Sequence, residues 1–192
     1  MAWTIRDIQE SLRKELKSKR FSHTLGVEYT SICLAMKYGE DLKKADLAGL
    51  LHDCAKEFSD KKLLKICKKN NEMISETEEK NPFLLHGKAG ACVARDVYEV
   101  TDETILDAIR YHTTGRPDMS LLEKIVFTAD YIEPGRNHAP NLDALRKLAF
   151  EDLDRAVYEI LEQTLAYLDE SGSEIDQQTM ITRDFYRKEL NS

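Results

Sequence analysis

Apolar residues recur every three or four positions along most of the chain, which predicts helices. The first two helical runs begin at Ile5 and Phe21, and Gly39 is expected to end the second because glycine readily adopts a left-handed C-cap. A third run, from Leu42 to Cys54, is apolar on most of its circumference and predicts a buried helix. Ser59 is a suitable N-cap for a fourth.

The four prolines all lie between residues 82 and 140 and separate the later helical runs. We predict breaks at Asn81-Pro82 and at the turn that contains Gly115 and Pro117. The pattern predicts further helices over residues 86–100, 102–113, 120–132, 142–149, 151–170 and 178–190. Strand alternation is not sustained anywhere. The predicted fold class is therefore all-α, a single-domain irregular helical bundle over residues 1–192.

Length and composition narrow the class of protein. A chain of 192 residues, 42% apolar and 33% charged, is typical of one globular domain with solvated helix faces. A net charge of −7 argues against a nucleic-acid partner, although a locally positive site could still bind a phosphorylated small molecule. No apolar run is long enough for a membrane span and the start lacks a secretory stretch, so we expect a cytoplasmic protein. The four cysteines form no CxxC pair and are expected to be reduced core thiols.

Two aspartates stand in segments that the pattern predicts to be buried. Asp53 follows His52 inside the sequence AGLLHDCA, and Asp130 lies within IVFTADYI. A buried carboxylate costs several kcal/mol unless hydrogen bonds or a cation compensate its charge. One such aspartate could cap a neighbouring helix, but two of them indicate a shared cation.

Histidines accompany these aspartates. His112 continues the apolar stripe of its helix, and on its own it would be interpreted as a hydrogen-bonded core residue, as would His23 and His86. Together with His52, however, four of the five histidines take inward-facing or helix-start positions alongside two inward carboxylates. A mixed imidazole and carboxylate site suits iron, manganese or zinc. His138, in a polar loop, is expected at the surface.

Other catalytic schemes lack their motifs. The chain contains no GxSxG elbow, no HExxH pair, no Walker phosphate loop and no GxGxxG fingerprint. Catalysis by a side-chain nucleophile is therefore unsupported.

The ordered set of His, His-Asp and Asp resembles the HD superfamily of metal-dependent phosphohydrolases. The segments KRFSHTLGV, KADLAGLLHDCAKEF, LLHGKAGA, YHTTG and ADYIEPGR further resemble the bacterial YqeK family. That resemblance covers roughly residues 19 to 170. It implies symmetric hydrolysis of dinucleoside tetraphosphates, with diadenosine tetraphosphate giving two ADP.

The resemblance also implies roles for individual residues. His23, His52, Asp53 and Asp130 would hold a metal, with iron preferred and manganese, zinc or another divalent ion as alternatives; His52 and Asp53 would be the catalytic pair. One ion or two are left open, because His86 and His112 would complete a second metal position or bind phosphate oxygens. The residues expected to contact substrate are Lys56, Thr113, Arg136, Thr179 and Arg183. Without the family, Lys56 and Arg136 are equally well interpreted as solvated surface residues.

The C-terminal segment departs in part from the family. Thr179 and Arg183 match its His-Pro-Thr and Arg-Asn pattern, whereas Gln177, Gln178 and Asp184 do not. Contacts to base or ribose are therefore expected to differ here.

The predicted mechanism is attack by a metal-activated water, with charge neutralisation supplying most of the acceleration. The alternative enzymes are an HD-type nucleotide phosphatase and a guanosine tetraphosphate hydrolase. The alternative from another class is a module that senses a nucleotide without hydrolysing it. A homodimer through exposed apolar helix faces is left open.

Overall fold

The computed structural model describes residues 3–137 and 139–191, and within these residues it contains helices and no strand. The predicted all-α fold is confirmed. His138, expected at the surface, lies outside the described residues. The helices are α1 Ile5–Glu15, α2 Ser18–Tyr38, α3 Leu42–Leu51, α4 Asp60–Lys69, α5 Glu76–Lys80, α6 His86–Asp96, α7 Glu103–Tyr111, α8 Leu121–Ile132, α9 Leu142–Ala149, α10 Leu153–Glu170 and α11 Gln177–Glu189, with a 3-10 helix at Pro82–Leu85.

Local sequence explains where several helices begin and end. Ser120 accepts a hydrogen bond from the backbone of Glu123, whose side chain bonds back to Ser120, and this capping box starts α8. Gly39 ends α2 in the left-handed conformation, with a φ of 79°. Ser59 precedes α4 as expected but makes no side-chain cap hydrogen bond. These boundaries agree closely with the periodicity.

The largest hydrophobic cluster lies between α2, α3, α7, α8 and α10. Its fully buried side chains include Leu34, Leu50, Ile109, Ile125 and Ile160, one from each of these helices. A smaller cluster beneath α4 is formed by Ala55, Leu63, Cys67, Leu85 and Ala89. Burial of apolar side chains in this first cluster fixes the helices that carry the site.

The third helix is shorter than predicted. It ends at Leu51, and the next residues form tight turns in which the amides of Cys54 and Lys56 bond to the carbonyls of Leu51 and Asp53. The prediction of a helix through Cys54 was therefore wrong, because hydrogen bonds between residues three apart replace the helical pattern. His52 and Asp53 consequently stand at the end of α3 and not in its middle.

Three further details differ from the prediction. Helix α6 ends at Asp96 and not at residue 100, and Glu99 has a positive φ of 59° that interrupts the chain there. The short helix α5, which the periodicity does not indicate, begins with a capping box between Ser75 and Glu78. Cys54, Cys67 and Cys92 are buried free thiols as expected, but Cys33 is exposed. No helix within the described ranges is long and apolar enough to cross a membrane.

Candidate functional site

Five elements bring the predicted site residues together. His23 lies on α2, His52 and Asp53 follow α3, and Asp130 lies on α8. His86 begins α6 and His112 follows α7, completing a cluster that contains four imidazoles and two carboxylates. His52 is fully buried and the Asp53 side chain is 3% exposed, whereas the Asp130 side chain keeps 21% of its surface. The site is thus deepest at His52 and opens near Asp130.

Three of the imidazoles are oriented in the same way. The Nδ1 atoms of His52, His86 and His112 lie 2.7, 2.8 and 2.7 Å from the carbonyl oxygens three residues earlier. A carbonyl can only accept, so each Nδ1 carries the hydrogen and each neutral ring presents a bare Nε2. This arrangement fixes the tautomer that a metal-binding histidine requires.

His23 is oriented by a carboxylate. Its Nδ1 donates to Glu133 Oε1 at 3.1 Å, while Glu133 Oε2 accepts the backbone N–H of Gly135 at 2.6 Å. Gly26 allows this packing, since a Cβ there would lie 2.3 Å from Glu133 Oε2. Burial lowers the pKa of His23, but the nearby Asp130 carboxylate and the hydrogen bond to Glu133 outweigh it, so the pKa lies above its usual value.

A first group of donors, formed by His23, His52, Asp53 and Asp130, fits a metal ion. His23 Nε2 lies 2.9 Å from Asp130 Oδ1 and 4.0 Å from Asp53 Oδ2. His52 Nε2 lies 3.5 Å from Asp53 Oδ2 and 3.9 Å from Asp130 Oδ1. Two ligands that are each about 2.1 Å from one ion stand at most about 4.2 Å apart, so all four separations are short enough.

Unpartnered polar atoms support the same interpretation. His23 Nε2, His52 Nε2 and Asp53 Oδ1 are buried and have no hydrogen-bond partner among the described residues. Lone pairs of nitrogen and oxygen that face one another without a hydrogen repel, and a cation between them removes that cost. The donor set therefore fits a divalent metal. Two triplets among the described residues are spaced to hold an ion: His23, His52 and Asp130, which belong to this set, and His52, Asp53 and His112, which adds His112 to it.

The surroundings keep both aspartates ionised. Burial alone would raise the pKa of Asp53, but the imidazoles of His52, His112 and His86 bring it well below its usual range. Burial likewise opposes ionisation of Asp130, and His23, His52 and Arg136 outweigh it. Both aspartates are thus anionic, as metal binding requires.

His86 and His112 form a second group around Asp53 Oδ1. Each Nε2 lies 3.5 Å from that oxygen, and the two Nε2 atoms are 3.2 Å apart. Lys56 Nζ lies 3.0 Å from His86 Nε2, and Thr113 Oγ1 is 3.1 Å from both Nε2 atoms. Burial and the Lys56 cation lower the pKa of His86 to about 3, so it is neutral.

A basic cavity of about 680 Å³ adjoins the first group at His23. Its cationic lining residues are Lys17, Lys19, Arg20 and Arg136. Arg20 Nη1 donates to Asp53 Oδ2 at 2.8 Å, and Arg136 contacts the backbone oxygen and Oδ1 of Asp130 at 3.0 and 2.9 Å. Four cations line this cavity against the two acidic residues Glu57 and Glu133, and three of the cations are paired: Lys17 with Glu57, Arg20 with Asp53 and Arg136 with Asp130.

A second cavity of about 530 Å³ adjoins the second group at Thr113. We define it by Tyr111, Thr113, Thr114, Gln177, Gln178 and Ile181, which with residues 71–75 line most of its wall. We call the cluster of four imidazoles and two carboxylates the metal-type residues. The two cavities reach this cluster from two sides, one at His23 and the other at Thr113.

The other C-terminal residues predicted to bind substrate lie elsewhere. Thr179 is buried, and Arg183 Nη1 pairs with Glu162 Oε1 at 2.6 Å. Neither residue lines one of the two cavities. Their proposed contact with substrate has no support in this geometry and stays a prediction.

The sequence analysis missed Arg20 and Glu133. Arg20 precedes His23 by three residues, which places both on one face of α2, and Glu133 follows Asp130 by three. Both could have been found by asking which charged residues share a helix face with a predicted ligand. Their partners are distant in sequence: Arg20 pairs with Asp53, and Glu133 accepts a hydrogen bond from His23.

Known proteins resemble this chain over most of its length. Residues 20–135 match the family described as "HD domain". The chain is 41% identical over 171 residues to "Bis(5'-nucleosyl)-tetraphosphatase, symmetrical" of Bacillus subtilis, covering 89% of this chain and 91% of that protein. It is 37% identical over 179 residues to the protein of the same description from Staphylococcus aureus, covering 91% and 90%.

A solved structure is similar as well. The crystal structure of a "predicted HD superfamily hydrolase involved in NAD metabolism" from Clostridium acetobutylicum superposes with a TM-score of 0.95 at 41% identity. The match covers 98% of this chain and 100% of that one. The whole helical arrangement is therefore shared.

Proposed function

The chain belongs to the HD-domain family and, within it, to the symmetrical bis(5'-nucleosyl)-tetraphosphatases, and on this premise we propose that it hydrolyses dinucleoside tetraphosphates symmetrically. Diadenosine tetraphosphate is thereby converted to two ADP. The observation that carries the proposal is the buried cluster of four imidazoles and two carboxylates beside a basic cavity. This combination suits metal-dependent hydrolysis of a phosphoanhydride.

His23, His52, Asp53 and Asp130 are the proposed metal ligands. Their separations of 2.9 to 4.0 Å and their unpartnered buried nitrogens support this assignment. When bound, a divalent ion there polarises phosphate oxygens and lowers the pKa of water. Iron is the proposed ion, since imidazole and carboxylate donors suit it, and manganese and zinc are the alternatives. Elemental analysis of protein purified without air distinguishes them.

The remaining side chains position and neutralise the polyphosphate. Arg20 and Arg136 hold the two aspartates from the side of the basic cavity, so their guanidinium groups stand where phosphate oxygens would enter. Lys56 and Thr113 place an ammonium and a hydroxyl beside His86 on the other side. We assign Lys56 and Thr113 to contacts with one of the two inner phosphates, beside the Nε2 atoms of His86 and His112. ADP is a good leaving group, so a strong general acid is not required.

Product analysis tests the proposal. The metal-loaded protein should convert diadenosine tetraphosphate to ADP alone, and in heavy-oxygen water half of the ADP molecules should carry one label on the β-phosphate. Water adds to only one side of the broken bridge, which explains that proportion. Recovery of AMP and ATP would contradict symmetric cleavage. Orthophosphate or pyrophosphate release would favour the alternative enzymes, and no turnover with any loaded metal would favour the sensing module.

The cytoplasmic location, the single domain over residues 1–192 and the homodimer stay predictions. A dimer could use exposed apolar residues such as Tyr29 and Met36 on α2. Light scattering of the purified protein decides the oligomeric state.

A further inference from the structure

We propose that the second cavity binds one nucleoside of the dinucleotide, while the basic cavity holds the other half chiefly by its phosphates. This inference rests on the proposed function and deepens it. It implies that the protein binds the two identical halves of the substrate through different contacts. It also assigns a role to the first turn of α11, where the chain departs from its family pattern.

The second cavity lies where a nucleoside would extend from the inner phosphates of the bound substrate. Thr113 forms part of its wall, and the same hydroxyl lies 3.1 Å from the Nε2 atoms of His86 and His112. A substrate whose inner phosphates lie at the metal-type residues therefore directs one arm past Thr113 into this space. The volume of about 530 Å³ lies within the usual range of small-molecule pockets.

The charges of the second cavity do not suit a phosphate. Arg110 is already paired with Glu72 at 3.1 Å and with Asp107 at 2.5 Å. Lys88 Nζ donates to a Glu78 carboxylate oxygen and to the backbone oxygen of Met73, both at 2.7 Å. Both cations of the wall are thus neutralised, and Asp176 joins Glu72 and Glu78 as the third carboxylate of the wall. A neutral group is preferred over an anionic one here.

The remaining surface suits a nucleoside. The side-chain amides of Gln177 and Gln178 make no hydrogen bond to any described residue, so they are available to the polar edge of a base or to ribose hydroxyls. Ile181 and Met73 offer apolar surface, and they are 46% and 87% exposed. A flat base with apolar faces and a polar edge matches this combination.

The test compares Ile181→Glu with Met180→Glu. Both residues are exposed apolar positions on α11, but only Ile181 lines the cavity. Ile181→Glu should raise KM for diadenosine tetraphosphate about tenfold and leave kcat within about twofold, since it weakens ground-state and transition-state binding alike. Met180→Glu should match the wild type. Metal content and melting temperature should be equal in all three proteins.

Gln178→Ala provides a second variant if Ile181→Glu does not fold, and its KM should rise about threefold. Equal KM values for the cavity variant and Met180→Glu would overturn the proposal, as would a change confined to kcat. Calorimetric dissociation constants for diadenosine tetraphosphate on the metal-free proteins make the same comparison without turnover. A wild type that does not yield ADP would contradict the proposed function, and the calorimetric ranking would still decide the role of the cavity.

Discussion

Asp53 is the residue at which the two groups of donors meet. Its Oδ2 lies 3.5 Å from His52 Nε2 and accepts a hydrogen bond from Arg20, while its Oδ1 faces His86 and His112 at 3.5 Å each. A carboxylate with one oxygen toward each group can bridge two ions or hold one ion beside a phosphate. Lys56 Nζ, 3.0 Å from His86 Nε2, already places a cation at the second position, where a phosphate would find a positive charge.

Arg136 tests the role of positive charge, because it contacts the proposed ligand Asp130 but is not itself a proposed metal ligand. A guanidinium does not coordinate a metal, but it can make paired contacts with phosphate oxygens. Arg136→Ala should therefore keep the bound metal and raise KM or lower kcat, with kcat/KM falling about tenfold to a hundredfold. Elemental analysis and steady-state kinetics measure both effects.

The control for Arg136 is Arg95→Ala, which removes a surface arginine paired with Asp96. It should leave the kinetics unchanged. If Arg136→Ala behaves like this control, Arg136 is a surface residue. If it loses metal instead, its contact with Asp130 Oδ1 positions a ligand and does not serve the substrate.

At the scale of elements, α1, α2 and α3 meet at a buried carboxylate. Glu28 is 1% exposed, its Oε1 accepts a hydrogen bond from Gln9 Nε2 at 2.7 Å, and its Oε2 has no hydrogen-bond partner among the described residues. Burial and the nearby Asp46 carboxylate raise the pKa of Glu28 to about 7. The folded protein therefore keeps a proton there that the unfolded chain releases near pH 4.5.

Glu28→Gln should stabilise the protein at neutral pH. Between pH 4.5 and 7 the unfolded state binds fewer protons at this site than the folded state, so the wild-type free energy of unfolding falls as pH rises. The neutral amide removes that dependence, and the gain over wild type should grow from near zero at pH 4.5 to about 1–3 kcal/mol above pH 7. Urea unfolding of both proteins at several pH values measures it. A constant difference across this range would contradict the assignment.

Much of the helical pattern could be predicted because it depends on local periodicity. Helix α9 matches the predicted residues 142–149, and α8 begins directly after the cap Ser120. The end of α3 could not be predicted, since the turns after Leu51 compete closely with a helix and tertiary contacts decide between them. The positions of His23, His52, Asp53 and Asp130 in one cluster followed from family resemblance. The pattern alone indicated that two buried aspartates share a cation with nearby histidines, but not which histidines hold it.

Arg20 and Glu133 show what the pattern omits. Each is a charged residue of ordinary appearance whose importance comes from a partner on another element, Asp53 or His23. The same holds for the second cavity, whose wall combines the turns after α4 and α7 with the first turn of α11. Such sites depend on how helices pack, and one sequence does not encode that in any local spacing.

At the scale of the whole molecule, the metal-type residues connect α2, α3, α6, α7 and α8. An ion bound to the folded state and not to the unfolded chain stabilises the fold by mass action, by about 2.7 kcal/mol at a hundredfold excess over Kd. For a chain of 192 residues this corresponds to about 5–10 °C in Tm. Removing the metal with a chelator should therefore lower Tm by about that amount, and adding the ion back should restore it, as calorimetry can measure.

The matched variant for this measurement is Asp53→Ala, which removes the carboxylate that faces both donor groups. It should lose bound metal and activity, and its Tm should no longer respond to chelator. Part of any change in its Tm comes from the lost contact with Arg20 and not from the ion, so the comparison that matters is each protein with and without chelator. If Asp53→Ala retains the wild-type metal content, the proposed set of ligands is wrong. If the wild type binds metal but keeps the same Tm without it, the unfolded chain binds the ion as tightly as the folded protein does, and a site preformed by the fold is contradicted.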